Sequence, residues 1–203
     1  MTKRFSPDRN EVAASLVQNH GNLLEVGVGD GYLINTLKSK VKKAYGMDIS
    51  KLRIQQLKKN VELKQVELSV GNIEEKTQYK SNLFDTVSMI AVLEHVFDPH
   101  AALEEIRRIL KNGGELIIEV PNIGWLYPRI SLLLGRFPIT STDPGFDGGH
   151  IHYFEIHNLT KLLAEHGFAI THVSCSGLFS KFRCFYPSLL GGDLVVRAVK
   201  EKK

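Results

Sequence analysis

The stretch Leu23-Leu24-Glu25-Val26-Gly27-Val28-Gly29-Asp30-Gly31-Tyr32-Leu33-Ile34-Asn35-Thr36-Leu37 decides the fold. A short apolar run enters three glycines at alternate positions and leaves as a helical pattern over residues 32–40. Glycines in such a turn allow positive φ and let the backbone approach a ligand closely. The unpaired N–H groups of the helix that follows add a positive pole. A dinucleotide turn reads GxGxxG, and here Tyr32 stands where its third glycine would be. Glu25 and Asp30 flank the loop, which argues against a pyrophosphate. A cation carrying sulfonium and ammonium groups suits it better. A tight turn with no ligand is the bland alternative.

Working outward, Ala44-Tyr45-Gly46-Met47-Asp48 predicts a second strand ending in an acid, 17 residues after Gly31. A carboxylate there can accept from both hydroxyls of a ribose, so an adenosyl ligand fits. Residues 66–70, 84–90, 115–120, 168–173 and 194–199 read as five further strands. Helices are expected over 8–20 with Asp8 as cap, over 51–60 with Ser50 as cap, and over 99–111 between Pro99 and Gly113-Gly114. Another is expected over 159–166 with Asn158 as cap. Strand–helix alternation with right-handed crossovers gives an α/β, doubly wound, Rossmann-like, mostly parallel seven-stranded sheet.

The 203 residues are read as one domain, 1–203. Residues 121–149 break the rhythm with Trp125, Leu126, Tyr127, Ile130, Leu132, Leu133, Leu134 and Phe137. They read as a lid or substrate-side insertion after the fifth strand. Those apolar residues could close on a hydrophobic or lipid-linked acceptor, or be plain packing or a dimer contact. The net charge of +4 and pI near 9.0 are mild, with lysines clustered at 38–43 and 200–203. No arginine-rich stripe suggests nucleic acid. Cys175 and Cys184 match no zinc or CxxC spacing, so a reduced, cytoplasmic setting is expected. No N-terminal apolar run suggests a signal peptide, and no uninterrupted apolar stretch of about 18 residues suggests a membrane span.

Five segments in order resemble class I S-adenosylmethionine-dependent methyltransferases of the small-molecule and glycan type: LLEVGVGDGYLINTL, GMDIS, VGNIEE, FDTVSMIAVLEHVFDP and ILKNGGELIIEVPN. HIHYFEIHNLTKLLAEHGF resembles a late segment of the same group. The resemblance covers roughly residues 20–120 and 150–173. It implies an antiparallel last strand and S-adenosylmethionine as cofactor. It also implies roles. Glu25, Gly27 and Gly29 would line the methionine part. Asp48 would hold the ribose, Ile49 would pack on the adenine, and Asn72 and Ile73 would border it. Ala91 would offer its carbonyl to the cofactor's amino group, and Glu94 and His95 would face the acceptor. The family often has Asp at position 72, and the Asn72 amide oxygen can accept in its place. The [DN]PP[YF] motif of amino- and DNA-directed members is absent. Ala91 replaces the first acid of the ExxEH motif by which some quinone O-methyltransferases hold a metal. Glu94 and His95 alone make a poor magnesium site, so no metal is expected.

Histidine suits removal of an acceptor's proton near neutral pH. His95, at the carboxyl edge, and His150, after the insertion, are the candidate catalytic residues, with His152 beside them. Each could instead serve structure: His95 by holding its loop, His150 and His152 by alternating along a strand or turn. The function expected is methyl transfer to a small-molecule or glycan acceptor, at oxygen by resemblance. The alternatives are a non-catalytic methyltransferase-like regulatory subunit and an NAD-dependent Rossmann oxidoreductase. Against the last stand the glycine spacing and the lack of a YxxxK pattern. A monomer and a homodimer are equally compatible with the sequence.

Overall fold

A computed structural model of the chain describes residues 7–141, 144–177 and 180–202. Residues 1–6, 142–143 and 203, which belong to the N-terminal, insertion and lysine-tail readings, lie outside the described residues, as do 178–179.

Among the described residues seven strands form one sheet: β1 (Asn22–Val26), β2 (Lys43–Asp48), β3 (Glu67–Val70), β4 (Phe84–Ile90), β5 (Leu110–Pro121), β6 (Phe168–Ser174) and β7 (Asp193–Lys200). Their order is β3-β2-β1-β4-β5-β7-β6. β1 to β5 pair in parallel, and β7 runs antiparallel between β5 and β6. The expected doubly wound sheet with an antiparallel last strand is therefore present.

Both faces of this sheet are buried, as parallel strands require. Alternate residues feed opposite cores. Leu24, Val26, Leu116, Ile118 and Val196 pack with Leu103 and Ile106 of α4 (Pro99–Ile109) and Leu159 and Leu163 of α6 (Ile156–Glu165). Leu23, Ile117 and Val195 pack with Val12 and Ala13 of α1 (Arg9–Leu16), Leu33, Ile34 and Leu37 of α2 (Tyr32–Leu37), and Ile54 and Leu57 of α3 (Lys51–Leu57). Chain order reverses between β1 and β4, so a crevice opens at the carboxyl ends of the central strands.

Asp8 caps α1 in a reciprocal capping box with Glu11, and the Ser50 hydroxyl accepts from the Arg53 amide. Several boundaries differ from expectation: α1, α2 and α3 stop at Leu16, Leu37 and Leu57, short of residues 20, 40 and 60, and two further ends are built differently. Asn158 is not the cap of α6. Glu155 caps it, and Asn158 sits at the third helical position, where its Oδ1 accepts from the Glu155 amide at 2.8 Å to complete a capping box. Gly113-Gly114 do not close α4. The helix ends at Ile109, and β5 begins at once with Gly113 at φ +74° inside it. A Cβ at Gly114 would stand 2.9 Å from the Lys111 carbonyl and 3.1 Å from that of Asp85, so only glycine fits that strand entrance.

The stretch between β5 and α6, read above as an insertion, carries α5 (Leu126–Leu133) and a short 3-10 turn at Phe146–Gly149. Two single-turn helices, α7 (Ser180–Arg183) and α8 (Pro187–Leu190), precede β7. No described helix is long and apolar enough to cross a membrane.

Candidate active site

The crevice is a cleft of about 480 Å³. Gly27, Asp48, Ile49, Asn72, Ile73, Ala91, His95 and His150 all line it. Glu25 and Gly29 stand just behind that lining. All but His150 are delivered at or just past the carboxyl ends of β1 to β4, which is why positions far apart in sequence meet.

At one end the glycine loop folds over β2. The amides of Gly27 and Val28 donate to the Met47 carbonyl at 2.8 and 3.1 Å, and the Gly29 amide donates to Asp48 Oδ2 at 3.2 Å. Gly27, Gly29 and Gly31 have φ of +70°, +55° and +83°, the left-handed region that favours glycine. A Cβ at Gly27 would lie 2.3 Å from Val92 Cγ2, whereas one at Gly29 would meet only the Gly27 carbonyl, at 3.8 Å. Asp48 is 4 % exposed, and its other oxygen accepts from the Ser50 amide at 2.8 Å. A carboxylate has about four lone-pair sites, so capacity remains on both oxygens. Glu25 lies buried beneath the loop, and its Oε2 has no hydrogen-bond partner. Burial, with Asp30 and Asp48 nearby, holds this carboxyl well above the ordinary range despite a hydrogen bond to the Ile34 backbone.

Ile49 is exposed, offering an apolar surface, and Ile73 packs into the core. Asn72 Oδ1 already accepts from the Glu74 amide at 3.1 Å, which leaves one lone pair for a ligand. Ala91 adopts φ +52° while its amide donates to the Glu119 carbonyl at 3.2 Å. Alanine in that region is strained, and such strain gathers where backbone must be presented in a set way.

The opposite end is built from two distant pieces of chain. The Glu94 carbonyl accepts from the amides of both Ile151 (3.0 Å) and His152 (3.1 Å), which ties the end of the insertion to the turn after β4. His150 therefore arrives beside His95, with ring centroids 4.8 Å apart, and its Nε2 lies 3.9 Å from Glu94 Oε1. His95 Nδ1 lies 3.2 Å from the Gly149 carbonyl. Thr140 Oγ1 is 2.7 Å from His150 Nδ1 and donates to Asp147 Oδ2 at 2.7 Å. Asp147 also accepts from the amides of Thr140 and Ser141. Burial pulls its carboxyl upward, but these hydrogen bonds outweigh burial and hold it below the ordinary range.

Glu94 is 1 % exposed, and neither of its oxygens has a hydrogen-bond partner. Burial pushes it up to about 7. Its neighbour Glu119 on β5 is pushed to about 8 by burial and by the charge of Glu94, with Arg9 Nη1 at 3.9 Å offsetting part of this. The sequence showed two candidate metal ligands in this region. The fold adds a third, since atoms of Glu94, His95 and His150 lie within 4.8 Å of one another.

Sequence reasoning missed Arg9, Arg53, Thr140, Glu119 and Asp147. Arg9, Arg53 and Thr140 line the cleft, while Glu119 and Asp147 stand behind Glu94 and His150. The one available signal was Asp147-Gly148-Gly149, a turn sequence directly before a histidine.

Residues 1–173 match a family model described as a methyltransferase domain. A ubiquinone biosynthesis O-methyltransferase of Alkalilimnicola ehrlichii is 31 % identical over 102 residues, 49 % of this chain and 41 % of that protein. A protein of the same description from Nitrosococcus oceani is 28 % identical over 130 residues, 58 % of this chain and 54 % of its own length. The chain thus spans about half the length of these curated relatives. A SAM-dependent methyltransferase structure from Methanosarcina mazei superposes with a TM-score of 0.69 at 24 % identity, covering 95 % of this chain and 98 % of that one. At that identity the likeness concerns the fold. With the family model spanning the glycine loop, the acid at the end of β2 and the turn after β4, the chain belongs to the methyltransferase-domain family, the class I S-adenosylmethionine-dependent methyltransferases.

Proposed function

We propose that this chain transfers a methyl group from S-adenosylmethionine to a hydroxyl of a small-molecule or glycan acceptor. The observation that carries the reading is the division of one cleft. A glycine-loop and carboxylate end faces an end built from Glu94, His95 and His150.

The residues at the first end suit the cofactor. Asp48 keeps acceptor capacity for two ribose hydroxyls, and Ile49, Ile73 and Asn72 provide apolar surface and one spare lone pair for the adenine. Glu25 has an unpartnered oxygen beneath the loop, and Gly27 and Gly29 keep side chains out of the approach. Ala91, with its left-handed φ, lines the cleft, and its carbonyl is the group proposed to meet the cofactor's amino group. When bound, the cofactor supplies an electrophilic methyl on a sulfonium.

At the other end the chain's task is to align the acceptor and take its proton. His95 and His150 are the proposed groups, with Thr140 and Asp147 fixing the His150 ring. Glu94, buried and unpartnered, gains a hydrogen bond when a hydroxyl donor enters. Oxygen as the methylated atom is supported by the description of the matched relatives. Two imidazoles and one carboxylate do not suit magnesium, which prefers an octahedral oxygen shell. The sulfonium already makes the methyl electrophilic and the two histidines take the acceptor's proton, so we propose that the transfer needs no metal.

The test is release of S-adenosylhomocysteine with a catechol or a sugar as acceptor. Replacing His95 and His150 by Asn, singly and together, is expected to lower turnover by about 10²-fold or more while cofactor affinity holds. Unchanged turnover in the double variant rejects the histidine roles. Turnover with amines and with no hydroxyl acceptor rejects oxygen.

A further inference from the structure

The two cysteines lie outside the cleft, and their spacing in sequence matched no motif. In the fold they meet. Cys175 follows the end of β6 and is fully buried, while Cys184 follows α7 and is half-buried. Their Sγ atoms are 2.8 Å apart, closer than two unbonded sulfur atoms settle. The Cys175 amide also donates to Cys184 Sγ at 3.2 Å, so the second sulfur sits directly on the first residue's backbone. A disulfide needs about 2.05 Å between sulfurs, less than an ångström of further approach.

From this geometry we propose that Cys175 and Cys184 are a modification site that forms a reversible intrachain disulfide. The half-buried Cys184 meets the oxidant first. Its thiolate attacks a small-molecule disulfide such as oxidised glutathione and releases one thiol. The Cys175 thiolate then attacks Cys184 Sγ and releases the second thiol. The protein loses two hydrogens and two electrons, and the small disulfide leaves as two thiols. Burial and the neighbouring Cys184 hold the Cys175 thiol well above the ordinary range, and Asp193 adds to this, so the second step quickens with rising pH.

The bond has a defined mechanical consequence. Arg183, adjacent to Cys184, donates from Nε to the Leu190 carbonyl at 2.6 Å, and its guanidinium stacks over Trp125 at 5.4 Å. Trp125 is the residue from which α5 starts. Asn122, just past β5, donates to carbonyls of the α8 region at Pro187 and Gly191. The cross-link therefore fastens α7, α8 and the root of the insertion to the sheet.

The test uses the purified full chain, incubated with oxidised glutathione or with dithiothreitol, alkylated and digested with trypsin. Lys181 and Arg183 lie between the cysteines, so cleavage leaves the two peptides joined only through a disulfide. The expected result is a linked peptide pair, an intact mass about 2 Da lower, and reversal by dithiothreitol. Cys175→Ser is expected to stop at a glutathione adduct on Cys184. The oxidised protein is expected to melt roughly 5 °C higher, since the short loop is closed in the unfolded state. Alkylation of both thiols after oxidation, or a stable glutathione adduct in the wild-type chain, overturns the proposal. A cross-link with no rise in melting temperature overturns its mechanical role.

Discussion

Replacing Glu119 by Gln is expected to flatten the pH dependence of stability above pH 5. Glu119 is 1 % exposed, its Oε2 lacks a hydrogen bond, and Arg9 is too distant to donate one. Its carboxyl moves from 4.5 to about 8 because burial penalises the anion and Glu94 repels it. Below pH 4.5 the folded and unfolded chains both hold the proton, and there is no penalty. Between 4.5 and 8 the unfolded chain ionises while the folded chain keeps its proton. The folded state then binds more protons, so stability falls as pH rises through this window, and the full penalty from this one group stands above it. At about 1.36 kcal/mol per pH unit the loss is of order 5 kcal/mol. Relaxation, water entry and movement of Arg9 bring the expected figure to roughly 2–3 kcal/mol. Gln keeps the shape and removes the ionisation, at a cost for the amide that does not vary with pH. Urea denaturation of both proteins at pH 4, 6, 8 and 9 reads the difference. The gap should shift in favour of Glu119→Gln by about 2 kcal/mol or more between pH 4 and pH 9. Parallel curves would refute the assignment of a buried, proton-holding carboxyl beside Glu94.

Gly27→Ala should weaken cofactor binding at least tenfold and cost about 1–2 kcal/mol of stability, because its φ is left-handed and the new Cβ runs into Val92. Titration and thermal melting check the two parts separately. Treatment with a chelator should leave turnover intact. Activity lost to chelation and restored by a divalent cation, whether magnesium, zinc or ferrous iron, would overturn metal-independent transfer.

The sheet was legible because its signals are local. Leu23 to Val26 and Phe84 to Ile90 are short segments rich in apolar residues and bounded by turn residues, and each is largely buried on both faces. The glycine-loop end of the cleft was legible for the same reason, since Gly27, Asp48, Asn72 and Ala91 each sit at or just past the end of a strand. The opposite end was only half legible. Glu94 and His95 follow β4, but His150 reaches them through hydrogen bonds from residues 151 and 152 to the Glu94 carbonyl, which no local pattern encodes. Arg9 opens an unremarkable helix and approaches Glu119 only because α1 packs across β5. The cysteines met for a similar reason: the chain just past α7 returns to the end of β6, and their separation in the sequence gave no hint of it. The misread boundary at Gly113-Gly114 arose because glycines close helices and admit tight strand entrances alike.

The most direct test is calorimetric titration of the purified chain with S-adenosylmethionine, with NAD as the control ligand, repeated on Asp48→Ala. The account predicts binding of S-adenosylmethionine and not of NAD, with affinity lost in the variant while the fold, read by circular dichroism, is retained. Absence of S-adenosylmethionine binding, or binding untouched by the loss of Asp48, would contradict it.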